Sequence, residues 1–304
     1  MNVGTAPRTD AAGLTVTPLA DHTFGAVVEG VRLAAPTEAQ VAAIKAAWLE
    51  HALLIFPGQT DLDDEGQMAF ARRFGDLVPE LAAVQITNVL PDGRLREAPD
   101  DDMMKIIRGN MFWHQDNTYM PLQAKGAVFS ARVVPTEKGE TGFADMRAAY
   151  DALDQATKDR IDGLNAYHSL AYSQAKLGEQ TKKDDSEYFG YGLDVADAPL
   201  RPLVKVHPET GRKTLAVGRH AFGIPGLEEA ESEKLVQDLI DFAVGDPARV
   251  YLHAWKAGDV VLWDNRCLMH KACAWDYTQP RIMVHSRIAG DPATESGLPQ
   301  DKAA

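Results

Sequence analysis

Two side chains with metal-binding chemistry flank a single residue in Trp113-His114-Gln115-Asp116-Asn117-Thr118-Tyr119. In a strand, alternate residues point to one face, so His114 and Asp116 are expected to aim at one point. A neutral nitrogen donor beside a hard anionic oxygen suits a divalent first-row metal. The same pair also occurs on half-exposed strands that bind nothing, so its meaning depends on what lies downstream.

Of nine histidines, His270 stands out by context. The run Gly258-Asp259-Val260-Val261-Leu262-Trp263 reads as a buried strand, Asp264-Asn265-Arg266 as a polar turn, and His270 sits at its exit. Two histidines and one carboxylate on one face of an octahedron form the facial triad of non-haem Fe(II) oxygenases. Three positions stay open, two for a 2-oxo acid and one for O₂. Further on, Arg281 in Pro280-Arg281-Ile282-Met283 can hold a carboxylate bidentately if it faces inward. Strand alternation alone favours an exposed edge arginine there.

These residues need elements to position them. Phe24 to Leu33 reads as a strand. Val41, Ile44, Ala47 and Trp48 form a helical stripe between Pro36 and His51, with Thr37 as N-cap. Ala52 to Phe56 is a short buried strand, and a second helix is expected from about Asp63 to Phe74, with Met68, Phe70 and Ala71 inward. Residues 83–96 read as a hairpin, 97–105 as a polar loop, Ala124 to Val134 as a strand, and Arg147 to Leu164 as one helix. Ala230 to Val244 is the last helix. Val250 to Trp255, Asp259 to Trp263 and Arg281 to Ile288 are strands, the first two joined by the turn Lys256-Ala257-Gly258. Short strands with turn signals dominate the second two-thirds. The expected architecture is mainly β with flanking helices, an antiparallel sandwich or barrel. Residues 1–14 read as a flexible tail, and 15–304 as one domain with lid segments near 97–110 and 174–198.

Composition narrows the function classes. The 304 residues are 45% hydrophobic and 25% charged, an ordinary globular balance. A net charge of −13 argues against nucleic-acid and anionic-membrane partners, and means that an anionic substrate must be held by local cations. Cys267 and Cys273 fit neither a redox pair nor a zinc ribbon, and no signal-peptide pattern opens the chain, so a cytoplasmic protein is expected.

The sequence resembles the Fe(II)/2-oxoglutarate-dependent dioxygenases of the taurine and 2,4-dichlorophenoxyacetate family, from about Leu14 to Asp291. The anchors are Leu53-Leu54-Ile55-Phe56-Pro57-Gly58-Gln59, Phe70-Ala71-Arg72-Arg73-Phe74-Gly75, Trp113-His114-Gln115-Asp116, Phe143-Ala144-Asp145-Met146-Arg147, and Trp263-Asp264-Asn265-Arg266 through His270 to Arg281. Within the family it looks closest to the aryloxyalkanoate dioxygenases that favour (S)-2-phenoxypropionates, on Asp102-Met103-Met104-Lys105, Gly109-Asn110-Met111, Thr118-Tyr119-Met120-Pro121 and Arg281-Ile282-Met283-Val284-His285-Ser286-Arg287. The resemblance implies a double-stranded β-helix (a cupin-like jelly roll), Fe(II) on His114, Asp116 and His270, and the distal carboxylate of 2-oxoglutarate on Thr141 and Arg281. It implies hydroxylation of the carbon next to the ether oxygen of an aryloxyalkanoate. A small anionic aromatic substrate would then release a phenol plus pyruvate or glyoxylate, with succinate and CO₂. It also implies a homo-oligomer.

One departure concerns the substrate anion. Many family members place a second arginine four residues after the first; here His285 stands in that position. Arg287 lies on the same face by alternation, and Lys105, Arg108 and Asn110 are rival contacts. Val84, Ile86, Phe112 and Tyr119 are candidate walls for the aryl group. Two other readings stay open: a sulfonate or alkylsulfate dioxygenase of the same family, and a non-oxygenase, metal-binding cupin-like protein.

Overall fold

The structure is a computed structural model that describes residues 6–96, 101–178 and 197–299. Its largest sheet has eight strands. In spatial order these are Arg8–Thr9, Thr15–Pro18, Ala26–Glu29, Leu53–Phe56, Val260–Asp264, Ala124–Val133, Ile282–Ala289 and Val84–Thr87. Every pairing is antiparallel except Ala26–Glu29 with Leu53–Phe56. A second sheet sets Thr141–Asp145 between Val250–His253 and Leu268–Ala272.

Period-two alternation divides the large sheet's side chains between two cores. Leu53, Ile55, Ala127, Phe129, Val261, Trp263 and Met283 meet Phe143 and Leu268 of the second sheet. Their neighbours Leu54, Phe56, Val128, Val260 and Leu262 face the opposite way. That outer face is covered by helices Glu38–His51 and Asp64–Arg72. Thr37 and Gln40 cap the first of these reciprocally, satisfying backbone donors that the first turn cannot pair. Behind the second sheet, Ala144 and Met269 pack with Leu235, Val236 and Leu239 of helix Glu229–Val244. Two facing sheets under flanking helices make the expected jelly roll.

Several local expectations change. The stretch before residue 15 is not all loose: Arg8 and Thr9 pair with Val16 and Thr15, and Leu14 is fully buried. The strand expected over Phe24 to Leu33 shortens to Ala26–Glu29. In the second helix it is Gln67, not Met68, that turns inward, donating to the Val284 carbonyl at 2.9 Å. The helix expected from Arg147 to Leu164 is two, Met146–Ala152 and Gln155–Ile161. Asp154 accepts from the Thr157 N–H and starts a new helix where one would have run on. From residue 102 on, the stretch expected as a polar loop lies in helix Asp102–Gly109, whose Met103, Met104 and Ile107 pack on Trp275. Residues 97–100, the start of one expected lid segment, and 179–196, most of the other, lie outside the described residues.

Candidate active site

His114 is not on a regular strand. It forms an isolated antiparallel bridge with His270, His114 N–H to the His270 carbonyl at 3.0 Å and the reverse bond at 2.8 Å. The bridge widens the second sheet at its Leu268–Ala272 edge and sets the two imidazoles side by side, ring centroids 4.2 Å apart. Asp116 follows in a turn, next to Asn117 with a φ of 56°. The convergence expected from strand alternation therefore arises from a bridge and a turn. Gly218 permits the close approach of a third segment, since a Cβ there would lie 3.2 Å from the His114 Cα.

His114, Asp116 and His270 are all buried, with one ligand atom from each within 4.8 Å of the others. The His114 Nδ1–H donates to the Phe112 carbonyl at 2.7 Å, which fixes the tautomer and leaves the Nε2 lone pair free to bind a metal. Burial pushes both histidines below the usual imidazole pKa, and each is held neutral. Burial alone would raise the Asp116 pKa. The Arg287 guanidinium is the strongest opposing influence and holds the carboxylate ionised. Arg287 Nη2 lies 3.1 Å from Asp116 Oδ1. Oδ2 makes no hydrogen bond and faces His285 Nε2 at 3.4 Å and His270 Nε2 at 3.7 Å. An unpartnered carboxylate oxygen between two neutral imidazoles fits a divalent cation. A second buried cluster, His207, Asp264 and Cys267, does not fit one. Asp264 is bonded through both oxygens to Arg266 and accepts from His207, and burial pushes the Cys267 thiol well up.

Thr141 and Arg281 line the same cavity as the triad. Arg281 is buried, its guanidinium 5.0 Å from the Trp275 ring and Nη2 donating to the Gly139 carbonyl at 3.2 Å. Its Nε has no partner, and no carboxylate among the described residues pairs with it. Burial lowers its pKa to about 10, so it stays charged at neutral pH. Such a buried cation calls for an anion. Trp255 Nε1 donates to Thr141 Oγ1 at 2.9 Å, so the hydroxyl proton is left to donate elsewhere. The pair fits the distal carboxylate of a small dicarboxylate.

The substrate-side candidates divide. Asn110, His285 and Arg287 line both cavities that reach the triad. Lys105 and Arg108, on helix Asp102–Gly109, line neither. His285 lies against Trp263 (centroids 5.3 Å) and Phe129 (5.2 Å), and burial lowers its pKa to about 3. It is neutral and so no cationic substitute for an arginine. Arg287 is committed to Asp116 and to Asn117 Oδ1, the latter at 2.9 Å. Tyr119, Val84 and Ile86 do line the outer cavity, whereas Phe112 does not and is half exposed.

Sequence reasoning missed Arg219 and His220, which also line that cavity with Leu81, Ile106 and Leu170. Arg219 is brought there by its N–H on the Trp113 carbonyl (2.9 Å) and by Gln174 Oε1, which accepts from its guanidinium at 2.6 Å. Only the dipeptide's loop position after Val217 hinted at it.

Residues 15–287 match the family described as Taurine catabolism dioxygenase TauD, TfdA family. The chain belongs to this family, and it is a 2-oxoglutarate-dependent dioxygenase. It is 65% identical over 284 residues, covering 93% of this chain and 97% of the relative, to an (S)-phenoxypropionate/alpha-ketoglutarate-dioxygenase of Sphingobium herbicidovorans. A protein of the same name from Delftia acidovorans is 56% identical over 287 residues, with 93% and 97% covered. Among solved structures, AAD-2 in complex with Mn(II) and N-oxalylglycine aligns with a TM-score of 0.84 at 37% identity, over 94% of this chain and 99% of that one.

Proposed function

We propose that this enzyme hydroxylates the carbon next to the ether oxygen of aryloxyalkanoates, using Fe(II) on His114, Asp116 and His270. The observation that carries the reading is the buried group His114, Asp116 and His270 with a buried arginine that no described carboxylate pairs on one side and an apolar, arginine-edged cavity on the other. Arg281 and the Thr141 hydroxyl hold the distal carboxylate of 2-oxoglutarate. Arg219 supplies the cation for the substrate carboxylate, since Arg287 is already shared with Asp116, and Asn110 and His285 flank it. Leu81, Val84, Ile86, Ile106 and Leu170 receive the aryl ring and exclude water. When bound, Fe(II) supplies the oxidative chemistry that couples O₂ and 2-oxoglutarate to insertion of one oxygen into a C–H bond, with succinate and CO₂ as co-products. Hydroxylation of a carbon that already bears the ether oxygen gives a hemiketal or hemiacetal. It falls apart to a phenol plus pyruvate from a propionate, or glyoxylate from an acetate.

The test is succinate and phenol release under air with Fe(II), ascorbate and 2-oxoglutarate. The panel is (S)- and (R)-2-(2,4-dichlorophenoxy)propionate, 2,4-dichlorophenoxyacetate, taurine and an alkyl sulfate. Phenol and succinate in equal amounts from an aryloxy acid, lost in His114→Ala, is the expected result. Release of sulfite or sulfate instead would move the substrate to sulfonates or sulfate esters. No succinate above the no-enzyme control with any acid would overturn the oxygenase assignment.

A further inference from the structure

Asp116 must present one carboxylate oxygen in a fixed direction, yet it sits in a turn with no strand beside it. We propose that Asn265 is the positioning residue for this ligand, its side-chain amide standing in for the missing strand. Asn265 Oδ1 accepts from the Asp116 N–H at 2.8 Å, and Nδ2 donates to the Asp116 carbonyl at 2.9 Å. Both main-chain groups of Asp116 are thus met by one side chain, in the donor–acceptor pattern of a neighbouring peptide. The second Nδ2 hydrogen goes to the Ala124 carbonyl at 2.8 Å. With one N–H facing Oδ1 and two carbonyls facing Nδ2, only one orientation of the amide satisfies every group.

Asn265 is itself fully buried and locked. Its N–H donates to the Lys125 carbonyl at 3.0 Å, and its carbonyl accepts from Gln115 Nε2 at 3.1 Å. It lies in the turn between Val260–Asp264 and Leu268–Ala272, the strand that carries His270. The turn therefore reaches across to the Asp116 segment and ties that ligand to the scaffold of another. Arg287 fixes the side chain from the far side through Oδ1. Asn265 fixes the backbone, and together they leave Oδ2 aimed at the histidines. An aspartate at 265 has the same shape but no donors, and an alanine has neither group.

The inference rests on His114, Asp116 and His270 binding a divalent metal, and not on the identity of the organic substrate. The test is Mn(II) affinity of the metal-stripped full-length enzyme, read as loss of the free Mn(II) EPR signal. It is run for the parent, Asn265→Ala and Asn265→Asp, with circular dichroism and thermal midpoint as checks of folding. Removing a residue that orients a ligand weakens metal binding by roughly 10- to 100-fold; that is expected for Asn265→Ala, with Asn265→Asp between it and the parent. In turnover, kcat should fall while KM for the aryloxy acid stays within about twofold. Mn(II) affinity within about twofold of the parent in either folded variant overturns the proposal, and Asn265→Asp decides it if the alanine variant does not fold. Weakened Mn(II) binding in a protein that releases no phenol would remove the substrate assignment and leave the role of Asn265 standing.

Discussion

Arg281 is a buried cation that the described protein does not neutralise, and this makes its side chain the most sensitive probe of the cosubstrate. Hydrogen bonds to charged groups contribute about 1.5–3 kcal/mol each, roughly one to two powers of ten in affinity. Arg281→Gln should therefore raise the KM for 2-oxoglutarate by about 10- to 100-fold and leave that for the aryloxy acid nearly unchanged. Thr141→Val removes one neutral donor and should cost about 2- to 10-fold in the same constant. Arg219→Gln should show the reverse selectivity, raising the aryloxy acid KM by about tenfold or more with 2-oxoglutarate binding intact. Steady-state kinetics with each compound varied in turn checks all three. Equal effects of Arg219→Gln on both constants would remove it from the substrate side.

At the level of elements, the approach of helix Glu38–His51 to the large sheet depends on Gly126. A Cβ there would lie 2.6 Å from Trp48 Cζ2 and 2.7 Å from the Trp263 carbonyl. Gly126→Ala overpacks that seam and should destabilise the fold by about 1–3 kcal/mol, measurable as a lower urea midpoint with unchanged slope. The helix itself was legible in the sequence, because Val41, Ile44, Ala47 and Trp48 keep helical spacing and Thr37 caps it. The buried run Val260-Val261-Leu262-Trp263 was legible for the same kind of reason. The two-helix break at Asp154 was not, since the apolar spacing continues across it while an aspartate cap competes with helix continuation. Helix Asp102–Gly109 was hidden by the acidic residues before it. The triad was legible because histidine and carboxylate chemistry is written in residue type. Arg219 was not: its place follows from a backbone bond to Trp113 and a side-chain bond to Gln174, which no local pattern encodes.

For the whole molecule, buried neutral histidines set the response to acid. Burial pushes His168 and His220 well below the ordinary value of 6.5. The unfolded chain takes up these protons below about pH 6.5 and the folded chain does not, so stability falls as pH drops through that range. Asp264, held below its ordinary 3.8 chiefly by Arg266 against the opposing effect of burial, adds a loss only as pH falls below about 4. The thermal midpoint of the metal-free enzyme should be level above pH 7 and decline from about 6.5. His168→Phe should remove about one proton from the uptake on unfolding at pH 5; an unchanged uptake would show that His168 is charged in the fold. The same unity shows in the two-bond bridge between His114 and His270. Each residue's N–H donates to the other's carbonyl across the bridge, so neither amide can exchange with solvent deuterium until the rung opens. Their exchange rates should rise and fall as a pair. Peptide-resolved deuterium uptake at these two distant points of the chain thus clocks a single event, the parting of the two segments that bring His114 and His270 together.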